Sequence, residues 1–214
     1  ARMDAIGEGT LLYEESGGVA WLRFNRPAAR NALTMPMYEG LAGICRSMPG
    51  ERGLRALVIA GTGGRAFAAG TDMGEFRDFA TAGDAHAYEA KMEGVLRALE
   101  DCAVPTIAAI TGACTGGGAA IAATCDLRVA DLRLKYGFPI ARTLGNCLSI
   151  ATLDRVGHVL GFARLREILM TARLIEAEEA ERIGLVSEVL PDAGAVTDRA
   201  GALAAMLANH APIT

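Results

Sequence analysis

Thr111-Gly-Ala-Cys-Thr-Gly-Gly-Gly-Ala-Ala-Ile-Ala-Ala-Thr-Cys-Asp126 is the stretch whose reading decides the fold. The apolar run before it, Pro105 to Ile110, has the composition of a buried strand. Three consecutive glycines, Gly116 to Gly118, then lead into a small-residue helix from about Gly117 to Thr124, and Asp126 to Ala130 reads as the next strand. Glycine lets backbone approach a ligand closely, and a helix N-terminus offers unpaired N–H groups with a partial positive charge. Together they suit an oxygen that is, or becomes, negative. The same glycines would also serve a tight turn where helix and sheet pack closely. A second stretch, Ala66-Phe-Ala-Ala-Gly-Thr-Asp-Met73, tips the reading towards chemistry. It is a short strand breaking at Gly70, with Asp72 placed to cap a helix.

Working outward, Thr10 to Glu15 and Val19 to Phe24 read as a β-hairpin split by Ser16-Gly-Gly18. Asn25-Arg-Pro27 ends the second strand, because proline cannot continue the ladder. Ala28 to Leu33 is a loop, and Thr34 is an N-cap for a helix running to about Met48. Leu54 to Ala60 is a buried strand ending at Gly61-Thr-Gly-Gly64, which lacks the spacing of a dinucleotide site and the Lys-Ser/Thr of a phosphate loop. Small and polar residues between Met73 and His86 read as mobile. Ala85 to Cys102 reads as an amphipathic helix with Met92, Val95, Leu96 and Leu99 towards the core. Leu134 to Pro139 is a further edge, and Ser149 to Leu160 and Phe162 to Met170 are helical. Thr171 to Ile175 is a turn into a helix from Glu176 to Ile183. Val186 to Leu190 is a late strand, and Asp192 to Asn209 a last helix. Strands and helices alternate throughout, so the class is α/β.

The chain has 214 residues, 51% of them hydrophobic, which is ample for a substantial core. No apolar run approaches the roughly 20 residues that span a bilayer, and no secretory leader pattern is expected. A formal charge of -4 with scattered Lys and Arg argues against nucleic acid or membrane as partner. The five cysteines and three histidines show neither zinc nor disulfide spacing, so no metal and a reducing, cytoplasmic setting are expected. Cys45, Cys102, Cys114 and Cys125 read as small core residues. Cys147, in Gly145-Asn-Cys-Leu-Ser149, reads as buried and inert or as a nucleophile activated near Arg142.

Five stretches in order resemble the crotonase superfamily, the enoyl-CoA hydratase/isomerase family. They are Asn25-Arg-Pro…Asn31-Ala-Leu33, Ala66 to Met73, Thr111 to Gly118, Cys125-Asp-Leu-Arg128 and Ala177-Glu-Glu-Ala…Gly184-Leu-Val-Ser-Glu-Val189. The resemblance implies a spiral of repeated ββα units over a core domain, 1–190. It implies that 191–214 begins a C-terminal helical region, truncated here, that covers the site of its own or a neighbouring subunit. A homotrimer or dimer of trimers is implied, as is an acyl-CoA thioester as substrate with no separate cofactor. Two backbone N–H groups, of Thr71 and Gly117, would form an oxyanion hole for the thioester oxygen. If Thr71 acts only through its N–H, Thr71→Ala should be nearly silent. Ala69, Gly70, Thr71, Asp72 and Met73 would wrap the CoA thioester; Arg26, Arg30 and Arg65 read as contacts to its phosphates or, equally, as solvated arginines.

The family's hydratases carry two glutamates, and this chain departs from the pattern at both. One would fall at Ala120 and the other at Ile140, in Tyr136-Gly-Phe-Pro-Ile140. Neither a methyl nor a sec-butyl group can move a proton. Superfamily dehalogenases, which also lack the pair, place a nucleophilic aspartate near the loop that here reads Ala141 to Ser149. Its polar groups are Arg142, Thr143, Asn146, Cys147 and Ser149, and Cys147 and Asn146 are the candidates to act. Asn146 would hold a water or a carbonyl, or cap the helix from Ser149. Asp72 and Glu75 read as a cap and a solvated charge.

Overall fold

Successive strands leave the chain in pairs, one member for each of two sheets. The computed structural model describes residues 3–49, 53–77, 80–143, 145 and 147–211. It begins with β1 (Met3–Ile6), β2 (Leu11–Ser16), β3 (Val19–Phe24) and α1 (Met35–Ser47). Three pairs follow, each with its helix: β4 (Ala56–Gly61), β5 (Ala66–Ala69) and α2 (Ala82–Glu100); β6 (Thr106–Ile110), β7 (Ala113–Thr115) and α3 (Gly117–Thr124); β8 (Leu127–Asp131), β9 (Lys135–Gly137) and α4 (Ile150–Leu160). The chain closes with α5 (Phe162–Thr171), β10 (Ile175–Glu176), α6 (Ala177–Arg182), β11 (Val189–Leu190) and α7 (Ala193–Ala208). The larger sheet runs β1-β2-β3-β4-β6-β8-β11, antiparallel up to β3 and parallel from there on. The smaller runs β10-β9-β7-β5, parallel except at β10. Each ββα unit therefore adds one strand to each sheet, which is the expected spiral.

Alternation along β4 shows how the sheet is buried on both faces. Leu57 and Ile59 join the main core with Phe24, Phe67 and Ile110. Ala56, Val58 and Ala60 face the other way, against Val196, Ala200 and Leu203 of α7. A strand covered on both faces reads as a continuous apolar run, as Leu54 to Ala60 does. The segment from 191 onward thus supplies, through α7, the layer over the outer face.

Several elements differ from the sequence pattern. β1 and β10 were not expected. They are short edges, and cross-strand pairing rather than local composition makes them strands. The last strand narrows to Val189–Leu190 and the edge near 134–139 to Lys135–Gly137. The stretch from Met73 to His86, expected to be mobile, holds a 3-10 turn at Met73–Phe76 and the first turn of α2. A capping box starts that helix three residues early: Thr81 Oγ1 accepts from the Asp84 N–H, and Asp84 Oδ2 accepts from the Thr81 N–H at 2.7 Å. Thr34 does occupy the N-cap of α1, but its side chain makes no capping bond. Among the described residues no helix is long and apolar enough to cross a membrane.

Asn31 ties the loop after β3 to the entrance of β5. It is fully buried at φ +55°, a left-handed conformation that Asn tolerates better than most residues. Its Oδ1 accepts from the Arg26 N–H at 2.9 Å, and its Nδ2 donates to the carbonyls of Thr62 at 3.0 Å and Ala66 at 2.8 Å. Two residues on, Leu33 donates its N–H to the Gly70 carbonyl at 2.8 Å and accepts from the Asp72 N–H at 2.8 Å. Asn31→Ala removes the side-chain partner of three backbone groups, of which the Ala66 carbonyl bond is buried, so a loss of ~2 kcal/mol is expected in urea unfolding. A change below ~0.5 kcal/mol, the scale of an ordinary surface substitution, would mean that the loop is held by something else.

Candidate active site

The N-terminus of α3 and the end of β5 meet with no side chain between them. Gly116, the N-cap, sits at φ +54° and donates its N–H to the Gly137 carbonyl of β9 at 2.9 Å. A Cβ on Gly116 would come within 3.3 Å of Gly70 Cα, one on Gly118 would collide with the Ala68 carbonyl, and one on Gly117 with Tyr38 Oη. Leu33 uses the Gly70 carbonyl and the Asp72 N–H, so by strand alternation the Thr71 N–H points away from Leu33. Thr71 N–H has no backbone partner among the described residues, and neither does Gly117 N–H at the first position of α3.

Both residues line a cavity of about 530 Å³ that runs between α2 and α4. Ala69, Gly70 and Met73 line it as well, whereas Arg26, Arg30, Arg65 and Asp72 do not. Arg26 is engaged within the protein: its Nη1 lies 2.8 Å from Asp72 Oδ2 and donates to the Ala32 carbonyl at 2.6 Å. Asp72 also accepts from the Gly74 N–H at 2.8 Å, and that bond first, then Arg26, holds its carboxyl below the usual range. Arg30 is exposed in a left-handed conformation. Ala120 and Ile140, where the resemblance puts the family's two glutamates, both line the cavity. So do Thr143, Cys147 and Ser149, whereas Arg142 donates to the Ala172 carbonyl and does not reach it. Asn146 lies outside the described residues. Cys147 is exposed, not buried, because its loop borders the cavity instead of packing into the core.

Sequence reasoning missed the hydroxyl groups of this cavity. Thr71 Oγ1 lies 2.8 Å from Tyr38 Oη of α1 and 2.9 Å from Tyr88 Oη of α2, and either atom of each pair can donate. The Thr71 side chain therefore has a partner on each side, beside the N–H that the sequence singled out. Burial pushes both phenols above their ordinary pKa, so they are neutral and able to donate. A tyrosine on the buried face of α1 signals that a partner exists for its hydroxyl. It does not signal that the partner is Thr71, since positions 38, 71 and 88 converge only in three dimensions.

This is a spiral α/β fold with a cavity at the N-terminus of α3, and similarity to known proteins gives it a family. The model of the family described as enoyl-CoA hydratase/isomerase matches residues 14–214. The short-chain-enoyl-CoA hydratase of Clostridium acetobutylicum is 30% identical over 208 residues, covering 95% of this chain and 77% of the relative. The crotonyl-CoA hydratase of Syntrophomonas wolfei is 32% identical, covering 84% and 68%. A crystal structure of an enoyl-CoA hydratase/carnithine racemase from Magnetospirillum magneticum superposes with a TM-score of 0.89 at 34% identity, covering 95% of this chain and 76% of that one. The chain belongs to the enoyl-CoA hydratase/isomerase family of the crotonase superfamily.

The two long walls of the cavity are joined by ions. Arg155 of α4 grips Glu93 of α2 with two bonds, at 2.8 and 2.6 Å, and reaches Glu100 at 2.9 Å. The paired guanidinium holds the Glu93 carboxyl below its ordinary value of 4.5. A depressed carboxylate contributes stability that is complete above its unfolded-state pKa and lost as pH falls through the folded-state value. Melting temperature should therefore drop as the medium is acidified below 4.5. Arg155→Met should flatten that part of the curve while lowering stability at neutral pH. An acid limb unchanged in Arg155→Met would show that other carboxylates govern it.

Proposed function

We propose that the chain is an acyl-CoA thioester-processing enzyme. The Thr71 and Gly117 amides hold the thioester oxygen as it takes on enolate charge. The observation that carries this reading is the pair of unpartnered N–H groups, from two chain segments, opening on one cavity. Donors already aimed at a developing oxyanion need no reorganisation, and one such donor is worth roughly 3 kcal/mol of barrier. The names of the relatives, hydratases of short-chain and crotonyl thioesters, support the substrate class. The acid/base set is non-standard, since Ala120 and Ile140 cannot move protons. Lyase and isomerase outcomes both fit an enolate held in this way. By the same family reasoning the working form is a homotrimer or dimer of trimers, and the cysteine pattern favours a reducing, cytoplasmic setting.

A second reading, a catalytically silent acyl-CoA binder, is favoured by Ala120 and Ile140 standing in the cavity wall. Crotonyl-CoA turnover, followed as loss of enoyl-thioester absorbance, separates the two when thermal shift with CoA esters is run alongside. Turnover with binding supports the enzyme. Binding with no turnover of any CoA thioester supports the silent binder, and absence of binding sinks both. Cys147→Ser is expected to leave turnover within about twofold, because the exposed thiol has no hydrogen bond to a histidine or carboxylate among the described residues. A loss of orders of magnitude with binding intact would make Cys147 the nucleophile.

A further inference from the structure

If a thioester enolate forms at Thr71 and Gly117, some group must deliver a proton to its α-carbon. That carbon is bonded to the carbonyl carbon, so the donor must sit beside the two amides and within hydrogen-bond reach of the substrate. Tyr38, Tyr88, Glu89, Glu93 and Cys147 are the cavity-lining residues with a titratable side chain. Glu93 is committed to Arg155 at 2.6 Å. Tyr38 is only 3% exposed, shut behind Gly117. Glu89 and Cys147 are exposed to solvent and, among the described residues, have no hydrogen bond to either amide-bearing residue. Tyr88 is half-buried, and its hydroxyl lies 2.9 Å from the side-chain oxygen of Thr71, the residue that carries one of the two amides.

We infer that the Tyr88 hydroxyl is the acid that protonates the α-carbon of the thioester enolate, with Thr71 and Tyr38 hydrogen-bonded behind it. This rests on the enolate reading above. In the step the Tyr88 Oη–H bond breaks and its proton bonds to the α-carbon. The enolate C=C pair becomes the new C–H bond, and the oxygen lone pair restores the C=O. The negative charge passes to Tyr88 Oη, which then takes a proton from water. While it is charged, Thr71 Oγ1 can donate to it, because the bond between them has no fixed direction. Tyr38 can donate to Thr71 in turn, so the charge is held by a chain of hydroxyls. In reverse, the tyrosinate removes an α-proton. Burial and the nearby Glu75 carboxylate keep Tyr88 protonated in the resting protein, the form an acid requires.

The test is exchange of α-protons of butyryl-CoA in D2O by the full chain, read by mass spectrometry, with thermal shift on butyryl-CoA as the measure of binding. Wild type should incorporate deuterium, and faster as pH is raised, because the raised Tyr88 pKa leaves little of the tyrosinate that removes the α-proton at neutral pH. Tyr88→Phe removes one oxygen and keeps the ring edge-on to Phe76, at 5.0 Å between centroids. It should bind as before and exchange on the order of 10²-fold more slowly. Exchange by Tyr88→Phe at the wild-type rate overturns the assignment and leaves the enolate reading standing. So does a loss seen in Glu89→Gln but not in Tyr88→Phe. Wild type that binds butyryl-CoA but does not exchange it removes the enolate reading and the role of Tyr88 together. If Tyr88→Phe fails to bind, a fluorotyrosine at position 88 decides. The more acidic phenol should change the exchange rate, and an unchanged rate overturns the proposal.

Discussion

The structure depends on one steric constraint: the first turn of α3 lies against the end of β5 at a distance that admits no side chain. A Cβ on Gly118 would strike the Ala68 carbonyl, one on Gly117 a tyrosine hydroxyl, and one on Gly116 would crowd Gly70 Cα, while Gly70 itself sits at φ +91°. The smaller sheet makes the approach possible, because β5, β7 and β9 run parallel and end together. Gly116 is fixed from the β9 side by the Gly137 carbonyl, and Gly70 from the other side by the Leu33 N–H. The two amides are therefore set by backbone hydrogen bonds from three segments. No side chain at the site is needed to aim them.

That independence explains how a chain can keep this architecture while holding Ala120 and Ile140 in the cavity wall. A backbone donor survives any substitution that does not distort its loop, whereas proton transfer depends on side chains and changes with them. Here hydroxyl groups of the wall come from α1 and α2. Tyr38 and Tyr88 meet on Thr71, and the apolar surroundings that raise their pKa also keep them neutral. A hydroxyl cluster costs less to bury than a carboxylate pair, since no ion has to be desolvated.

How much of this could be read in advance varied with the range of the interaction. Strands β3, β4 and β6 and helices α3 and α4 follow from local periodicity and were placed within a residue or two. The edge strands β1 and β10 have no local pattern of their own, and the start of α2 was hidden among small residues whose capping box was not recognised. At the site, the glycine positions were legible because close backbone approach leaves a mark in composition. The hydroxyl cluster was not, because residues 38, 71 and 88 belong to separate elements with no spacing rule between them. Arg26 shows the opposite limit. A basic residue near a ligand loop reads as a phosphate contact, but its pairing with Asp72, 46 residues further along the chain, has no local signature.

The burial of α2 gives the Tyr88 contact a second consequence. Its buried residues, Val95, Leu96, Ala98 and Leu99, all fall in the last two turns. The first half is exposed except for the capping Asp84 and for Tyr88, both half-buried. Hydrophobic burial therefore anchors only the far end of this cavity wall, and polar contacts set the near end. The ion pair from Lys91 to Glu39 is half-exposed and contributes little. The Arg155 clamp begins only at Glu93. The bond from Tyr88 to Thr71 and the edge contact of Tyr88 with Phe76 tie the near end to the loop after β5. Under the role proposed for Tyr88, position and chemistry would be joined in one side chain, because the group that delivers the proton also sits in the contact between α2 and that loop.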